Sequence, residues 1–356
     1  MLHTILHAAL ICWPVLMFIP AILIFCDGFD NYSTITDLWE FNGQDCSIRL
    51  NTGQARTGIG CLQINSAAFG PTKTFNQTTN LLVCTNWNSN TGGQVLRFMN
   101  FLADIGNNAT VILLQVNLDG SVSVIQGPSN GNVVLGTSAA NLYHFNTYNN
   151  LAMRATCSPT NGTVDVWVNG AHVLALTGVN TAHNNQGAPN TYDGCQLMAP
   201  GGIPTCFHDD VYMYDCSSGG SHTTFEGALR IYTIAPTANA VPVDWTPLAP
   251  NTNWQNVSEI PPDGDTSYNS SSTVGQEDQY VYPAASIPAN SSVLFVQHEM
   301  DLRIDTAGSR SVASVINGGA PANSQALTSN YHIYPTEYDS LGLADFPLDA
   351  GPRVTL

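Results

Sequence analysis

The sequence predicts an all-β chain, and three observations carry that prediction. From residue 21 to 216 apolar side chains recur with period two, the breaks between them have hairpin chemistry, and helical periodicity is hard to find anywhere. Val111-Ile-Leu-Leu-Gln-Val-Asn-Leu118 runs into Asp119-Gly120, a pair suited to a type I′ turn, after which Val122 and Val124 alternate with serines. Leu151, Met153 and Ala155 alternate next. Beyond a turn at Pro159 and Gly162, Val164-Asp-Val-Trp-Val168 puts three valines on one face and Asp165 and Trp167 on the other. Asn169-Gly170 then reverses the chain into His172-Val-Leu-Ala-Leu176, the clearest hairpin in the sequence.

Thr177 to Thr205, rich in Asn, Gly and Pro, reads as one long loop, and loops of that length are commonly functional. Val211 and Met213 alternate with Tyr212 and Tyr214 in the strand that follows. Residues 217–224, Ser-Ser-Gly-Gly-Ser-His-Thr-Thr, have linker composition. Beyond them the runs Ala228 to Ala235, Val293 to His298, Ser311 to Asn317 and Tyr331 to Tyr334 are strand-like between Pro- and Asp-rich loops. A sandwich or barrel at 21–216 and a smaller β-rich C-terminal domain at 225–356 follow.

Composition narrows the function classes. The 356 residues include 9 Lys+Arg against 26 Asp+Glu, for a net charge of −17, yet only 10% are charged. Ordinary domains carry about 25%. Solubility therefore rests on Asn, Ser, Thr, Gln and Gly. A phosphate-backbone binder needs clustered Lys and Arg and a coiled coil needs charged flanks, so nucleic acid is excluded as a partner and a coiled coil as a fold. At 44% hydrophobic residues the chain buries a core.

Nine cysteines, at 12, 26, 46, 61, 84, 157, 195, 206 and 216, include no C-x-x-C pair, which removes zinc-ribbon and thioredoxin motifs. Buried thiols in a reducing compartment are the first reading and four secreted disulfides the second. Sequons such as Asn76-Gln-Thr and Asn161-Gly-Thr favour secretion weakly.

Residues 1–20 form an apolar leader interrupted by His7, Pro14 and Pro20, with no Lys or Arg before Arg49. Three readings stay open: a start site misassigned upstream of Met17, a signal, or a membrane anchor. Membrane association is expected under the last reading alone.

Two stretches carry a family resemblance. Val164-Asp-Val-Trp-Val-Asn-Gly170 and Asp209-Asp-Val-Tyr-Met-Tyr-Asp215 resemble the penultimate hairpin and closing strand of the concanavalin A-like, laminin G-like jelly roll, and Phe25-Cys-Asp-Gly-Phe-Asp-Asn-Tyr32 resembles its opening strand. Gly227-Ala-Leu-Arg-Ile231, Asp263-Gly-Asp-Thr-Ser-Tyr268, Asp278-Gln-Tyr280 and Val296-Gln-His298 with Arg303 are similar to the second β domain of tailed-phage and virus-like virion structural proteins. The resemblance implies paired first and last jelly-roll strands. It also implies a virion protein made in the host cytoplasm, with other virion proteins, host-surface glycans and copies of itself as partners. Phe346 stands where the family leads one to look for tryptophan.

The chemistry of candidate sites was weighed residue by residue. Glucan hydrolases of this fold write E-x-D-x-x-E on one strand, because retaining hydrolysis needs carboxylates about 5–5.5 Å apart. Glu299-Met-Asp301 begins such a motif, but position 304 is Ile and Asp305 comes one residue late, so a solvated strand face is expected. His298-Glu299 lacks a histidine at 302, and neither G-x-S-x-G nor a phosphate loop occurs. No catalytic residue is assigned. Asp263-Gly-Asp265 reads as a turn, with Tyr268 and Val274 where a calcium loop needs Gly and Glu. Asp27, Asp30 and Asp210 are the candidate ligands of a structural Ca2+, placed together by the paired terminal strands, with turn capping as the competing reading. Trp87, Trp167, Tyr143 and Tyr192 are the aromatic candidates for a glycan surface.

The sequence thus favours a non-enzymatic adhesion protein of a viral particle. A secreted or membrane-anchored glycan-binding module comes second and a glycoside hydrolase third.

Overall fold

A computed structural model of the chain describes residues 2–11, 22–40, 46–65, 70–89, 96–103, 109–127, 131–182, 190–198, 205–217, 225–283, 288, 291–305, 308–339 and 348–355. The chain divides into two compact units, Leu16–Phe29 with Thr34–Leu229, and Met1–Val15 with Asp30–Ser33 and Arg230–Leu356. The second therefore gathers three stretches of chain, where the sequence reading drew one continuous C-terminal domain from 225. The leader contributes its first strand, β1 (Leu2–Ile11), to that unit; Pro14, Met17, Pro20, most of the 217–224 linker and Phe346 lie outside the described residues.

The first unit is a two-layer jelly roll. Its strands are β2 (Ile22–Asp27), β3 (Cys46–Leu50), β4 (Gly60–Ile64), β5 (Thr72–Thr78), β6 (Asn80–Ser89), β7 (Leu96–Ala103), β8 (Ala109–Val116), β9 (Val122–Gln126), β10 (Val134–Thr137), β11 (Asn149–Thr156), β12 (Gly162–Val168), β13 (Ala171–Val179), β14 (Tyr192–Leu197) and β15 (Cys206–Asp215). One sheet runs β13-β12-β11-β6-β15-β4-β3, with β2 also on β15; the other runs β10-β9-β8-β7-β14-β5. The first and last strands pair as expected, from Ile22 opposite Asp215 to Asp27 opposite Val211.

Local chemistry accounts for the hairpins. Val164, Val166 and Val168 are buried while Asp165 and Trp167 are half-exposed, so the period-two pattern sorts β12 onto core and outer faces. Asn169 and Gly170 both have positive φ, 51° and 84°, the type I′ geometry that matches strand twist. The other hairpin corrects the expectation. There Gly120 takes a positive φ of 75°, its N–H bonds to Asn117 O, and the Asp119 carboxylate accepts from the Ser121 N–H and hydroxyl. This is a type I turn followed by a left-handed glycine, stabilised by an Asx interaction. The Thr177–Thr205 loop is also interrupted: β14 pairs with β7 on one side and β5 on the other. The pairing of β14 to β5 shifts register between Tyr192 and Gly194.

Edge strand β13 is long and largely exposed, and its pairing to β12 shifts register twice. Such bulges disfavour edge-to-edge association.

The second unit holds a four-stranded sheet, β16 (Arg230–Ile234)-β1-β21 (Ser292–Leu302)-β24 (His332–Asp339), and a five-stranded one, β17 (Ala238–Val243)-β20 (Asp278–Tyr282)-β25 (Leu348–Thr355)-β22 (Ser311–Ile316)-β23 (Gln325–Ala326). A short pair, β18 (Thr246–Pro247) and β19 (Asn269–Ser270), completes it. The apolar cluster includes Tyr280, Tyr282, Val296, Met300, Leu302, Val312 and Ala350. Backbone packing is tight at Gly351, where a Cβ would lie 1.7 Å from Asp278 O. Gly351→Ala is expected to cost this unit about 1–3 kcal/mol as an overpacking strain. Chemical denaturation checks it, and an unchanged midpoint would contradict the close approach.

Candidate functional site

The two strand ends that meet at β2 and β15 carry a dense buried polar centre. His208, Asp209 and Asp210 are consecutive and fully buried on β15, an unusual run for a core strand. The pairing of β15 with β6 is interrupted between Asp209 and Tyr212, and Asp210 takes a positive φ of 48°. That irregularity lets both carboxylates meet the Arg56–Thr57 segment. Asp209 Oδ2 accepts the backbone N–H groups of Arg56 (2.6 Å) and Thr57 (3.0 Å), and its Oδ1 accepts the Asp210 N–H (2.7 Å). Asp210 Oδ2 takes the Arg56 guanidinium, the Thr57 hydroxyl (3.0 Å) and the Asn86 amide (3.4 Å).

The three candidate calcium ligands have the following partners. Asp27 Oδ1 accepts the Phe29 N–H (2.6 Å) and its Oδ2 the Trp39 indole N–H (2.7 Å). Asp30 belongs to the other unit, where Thr233 Oγ1 donates to its Oδ2 at 3.1 Å. Calcium is held by several carboxylate or carbonyl oxygens; here both Asp27 oxygens and Asp210 Oδ2 accept N–H or O–H donors, one of them a guanidinium. Among the described residues no group of three His, Cys, Asp or Glu could hold a metal ion. Asp27 holds its own turn, as the competing reading had it.

The catalytic candidate also changes character. Glu299, on β21, is 1% exposed, not part of a solvated face. Its Oε2 accepts the Asn31 amide and its Oε1 the Gln297 amide (2.5 Å). His298, one residue earlier, lies among the apolar side chains of the other face, with Nδ1 2.6 Å from Ser314 Oγ, which also accepts the Tyr338 hydroxyl at 2.8 Å. The Asp263 carboxylate accepts the Ser267 N–H (3.1 Å) and hydroxyl (3.0 Å), as a turn requires.

Of the four candidate aromatics, three are core. Trp87 and Tyr192 are fully buried and Tyr143 is 2% exposed. Trp87 lies against Tyr143 and His208, Tyr143 OH shares a hydrogen bond with Ser89 Oγ (2.9 Å), and Tyr192 OH donates to Thr181 O (3.1 Å). Trp167 alone among them is half-exposed. Its ring centroid lies 4.9 Å from that of exposed His172 and 5.5 Å from that of half-exposed Phe225. His172 Nε2 is 2.9 Å from Asp165 Oδ1, and Arg154 stands opposite Asp165 in the β11–β12 register with its Nε donating to Asn80 Oδ1 at 3.0 Å. The strand register lines up His172, Trp167, Ala152, Cys84, Tyr212 and Cys26 in one row across the sheet. Trp167 and Tyr212 thus bracket two small side chains in this row, and of these four Trp167 alone is not fully buried. Sequence placed Trp167 on this face through its alternation with valines. It missed Phe225, which is distant in the chain, and it singled out Asp210 without its partner Arg56.

No protein-family model matches the chain, and no curated protein matches it. Solved structures similar to parts of it include carbohydrate-binding module CBM66 from Bacillus subtilis (11% identity, TM-score 0.31, covering 49% of this chain and 97% of that one). Another is an endo-1,3-beta-glucanase from Streptomyces sioyaensis (13%, TM-score 0.35, 55% and 96%). A third is a Trypanosoma rangeli sialidase (8%, TM-score 0.34), where the match takes in 48% of this chain and spans just 27% of the sialidase. The account of function below is built on this chain's own side chains.

Proposed function

We propose that the protein is a non-enzymatic adhesion protein of a virus-like particle, and that its jelly roll binds glycans at the Trp167 patch. The half-exposed Trp167 against His172, whose imidazole meets Asp165, carries this reading. A sugar ring is recognised by an aromatic face for its C–H surface and by nearby carboxylate, imidazole and guanidinium groups for its hydroxyls. A clustered, half-open set of rings on a sheet face is also where an adhesive surface is expected. Glu299, the residue a hydrolase reading depends on, is closed in by two amides. Binding to an array of neutral and acidic glycans is the test, with Trp167→Ala expected to reduce any signal at least about tenfold, the loss of roughly one aromatic contact's worth of affinity. Equal binding by the variant would refute the site, and release of new reducing ends by the wild-type protein would refute the non-enzymatic reading.

The cytoplasmic, virion side of the proposal draws support from the cysteines and the sequons. The eight described cysteines are thiols, and seven are buried. Burial pushes the Cys84 and Cys206 thiols up to about 12 and those of Cys157 and Cys216 up to about 11, which makes them inert packing groups. Three sequon asparagines, Asn31, Asn256 and Asn269, are at most 1% exposed, and Asn256 and Asn269 use their amides inside the fold. A glycan cannot be attached there without unfolding. Titration of the denatured protein is expected to count all nine cysteines as thiols; a count of one would favour the secreted alternative.

A further inference from the structure

We infer that the segment Phe225–Leu229 is a strap over the Trp167 patch, so that the Phe225 ring and a glycan compete for the same aromatic face; the inference rests on the glycan-binding reading of that patch. The strap is anchored at one end and in its middle. Arg56 Nη1 donates to Leu229 O at 3.0 Å, and Tyr212 OH donates to Gly227 O at 3.0 Å. Gly227 has a φ of +99°, and the Leu229 N–H donates to Gly227 O, also at 3.0 Å, which tightens the bend. Leu229 is fully buried.

Phe225 is the other end. Its ring stacks on Trp167 with centroids 5.5 Å apart and planes inclined by 29°, and it stays half-exposed. Tyr212, which holds the middle of the strap, stands in the same cross-strand row as Trp167, separated from it by Ala152 and Cys84, both fully buried. The row between the two rings is covered, and the Tyr212 hydroxyl ties it to the strap at Gly227 O. A single half-exposed ring contact is weaker than two hydrogen bonds to main-chain carbonyls at a buried anchor, so the Phe225 end is the one that opens. The flat ring of Phe225 stands where the apolar face of a sugar would stack. A glycan gains the Trp167 face by displacing it, and the fraction of open strap scales the apparent affinity.

The test uses the full-length chain, wild type, Phe225→Ala, Trp167→Phe and the double variant. Each is titrated with a soluble β-glucan, a mannan and a galactan, and each is probed by acrylamide quenching of tryptophan fluorescence. Phe225→Ala is expected to raise quenching relative to wild type, and the increase is expected to vanish when Trp167 is also replaced. Its binding to whichever polysaccharide the wild type recognises is expected to tighten about three- to tenfold. Weaker binding by Phe225→Ala would make the ring part of the platform and overturn the strap while leaving the glycan site standing. Unchanged quenching would overturn the strap directly. Increased quenching with no binding of any of the three polysaccharides by any form would refute the competition and count against the glycan reading itself.

Discussion

Replacing Asp210 by alanine is expected to cost the jelly roll about 3–5 kcal/mol, because it strands a partly buried guanidinium. Asp210 is fully buried, and the Arg56 side chain retains 18% exposure. Arg56 would keep its bond to Leu229 O but lose its counter-charge, while the Thr57 hydroxyl and Asn86 amide would lose an acceptor. Asp210→Asn keeps the shape and one acceptor and is expected to cost less, and Arg56→Met combined with Asp210→Ala should recover part of the loss by removing both charges. Urea denaturation of the four proteins checks this. Were Asp210→Ala as stable as wild type, the ion pair would have no structural role.

Acidification is the second large effect. Burial pushes the His208 imidazole down to about 4 and the His298 imidazole down to about 3, against about 6.5 in an unfolded chain. His208 is held neutral between Thr85 Oγ1 (3.3 Å) and Met198 O (3.2 Å); His298 bonds to Ser314 and has no partner for Nε2 among the described residues. Unfolding lets both take up protons. Their contribution is therefore complete above pH 6.5 and is lost as the pH falls through 6.5 towards 4 for the jelly roll and towards 3 for the second unit, on the order of 3–5 kcal/mol each. Asp278, whose carboxyl burial raises, works against this trend at the acid end. Stability measured at pH 7, 5.5 and 4.5 should fall steadily, and His208→Gln should flatten the slope of the jelly roll. A profile that stays level from pH 7 to 4.5 would contradict the burial of neutral imidazoles.

The sandwich was readable in the sequence because alternation is enforced by burial: Val164, Val166 and Val168 have to face the core together, and Asn169-Gly170 has few other uses. β1 was read as a leader because a strand without polar alternation looks like any apolar run. β14 was missed because it is short and lies inside Thr177 to Thr205, whose Asn, Gly and Pro content is that of a loop. Ion-pair partners such as Arg56 and Asp210 were beyond reach for a different reason. They are joined by tertiary contacts across more than 150 positions, and no spacing rule connects residues that meet only after the sheet has formed. Glu299 shows the reverse failure: its motif fragment was visible, but motif residues do not reveal whether they face water or two amides.

The claim at the centre of this account is that the protein binds glycans through Trp167 without cleaving them. It is tested most directly by following the tryptophan indole N–H resonances while glycan is added. Movement confined to the Trp167 resonance, with the buried Trp39 and Trp87 unmoved and the glycan recovered intact, is the predicted result. A still Trp167 resonance while bound glycan shifts others, or shortened glycan in the tube, would contradict it.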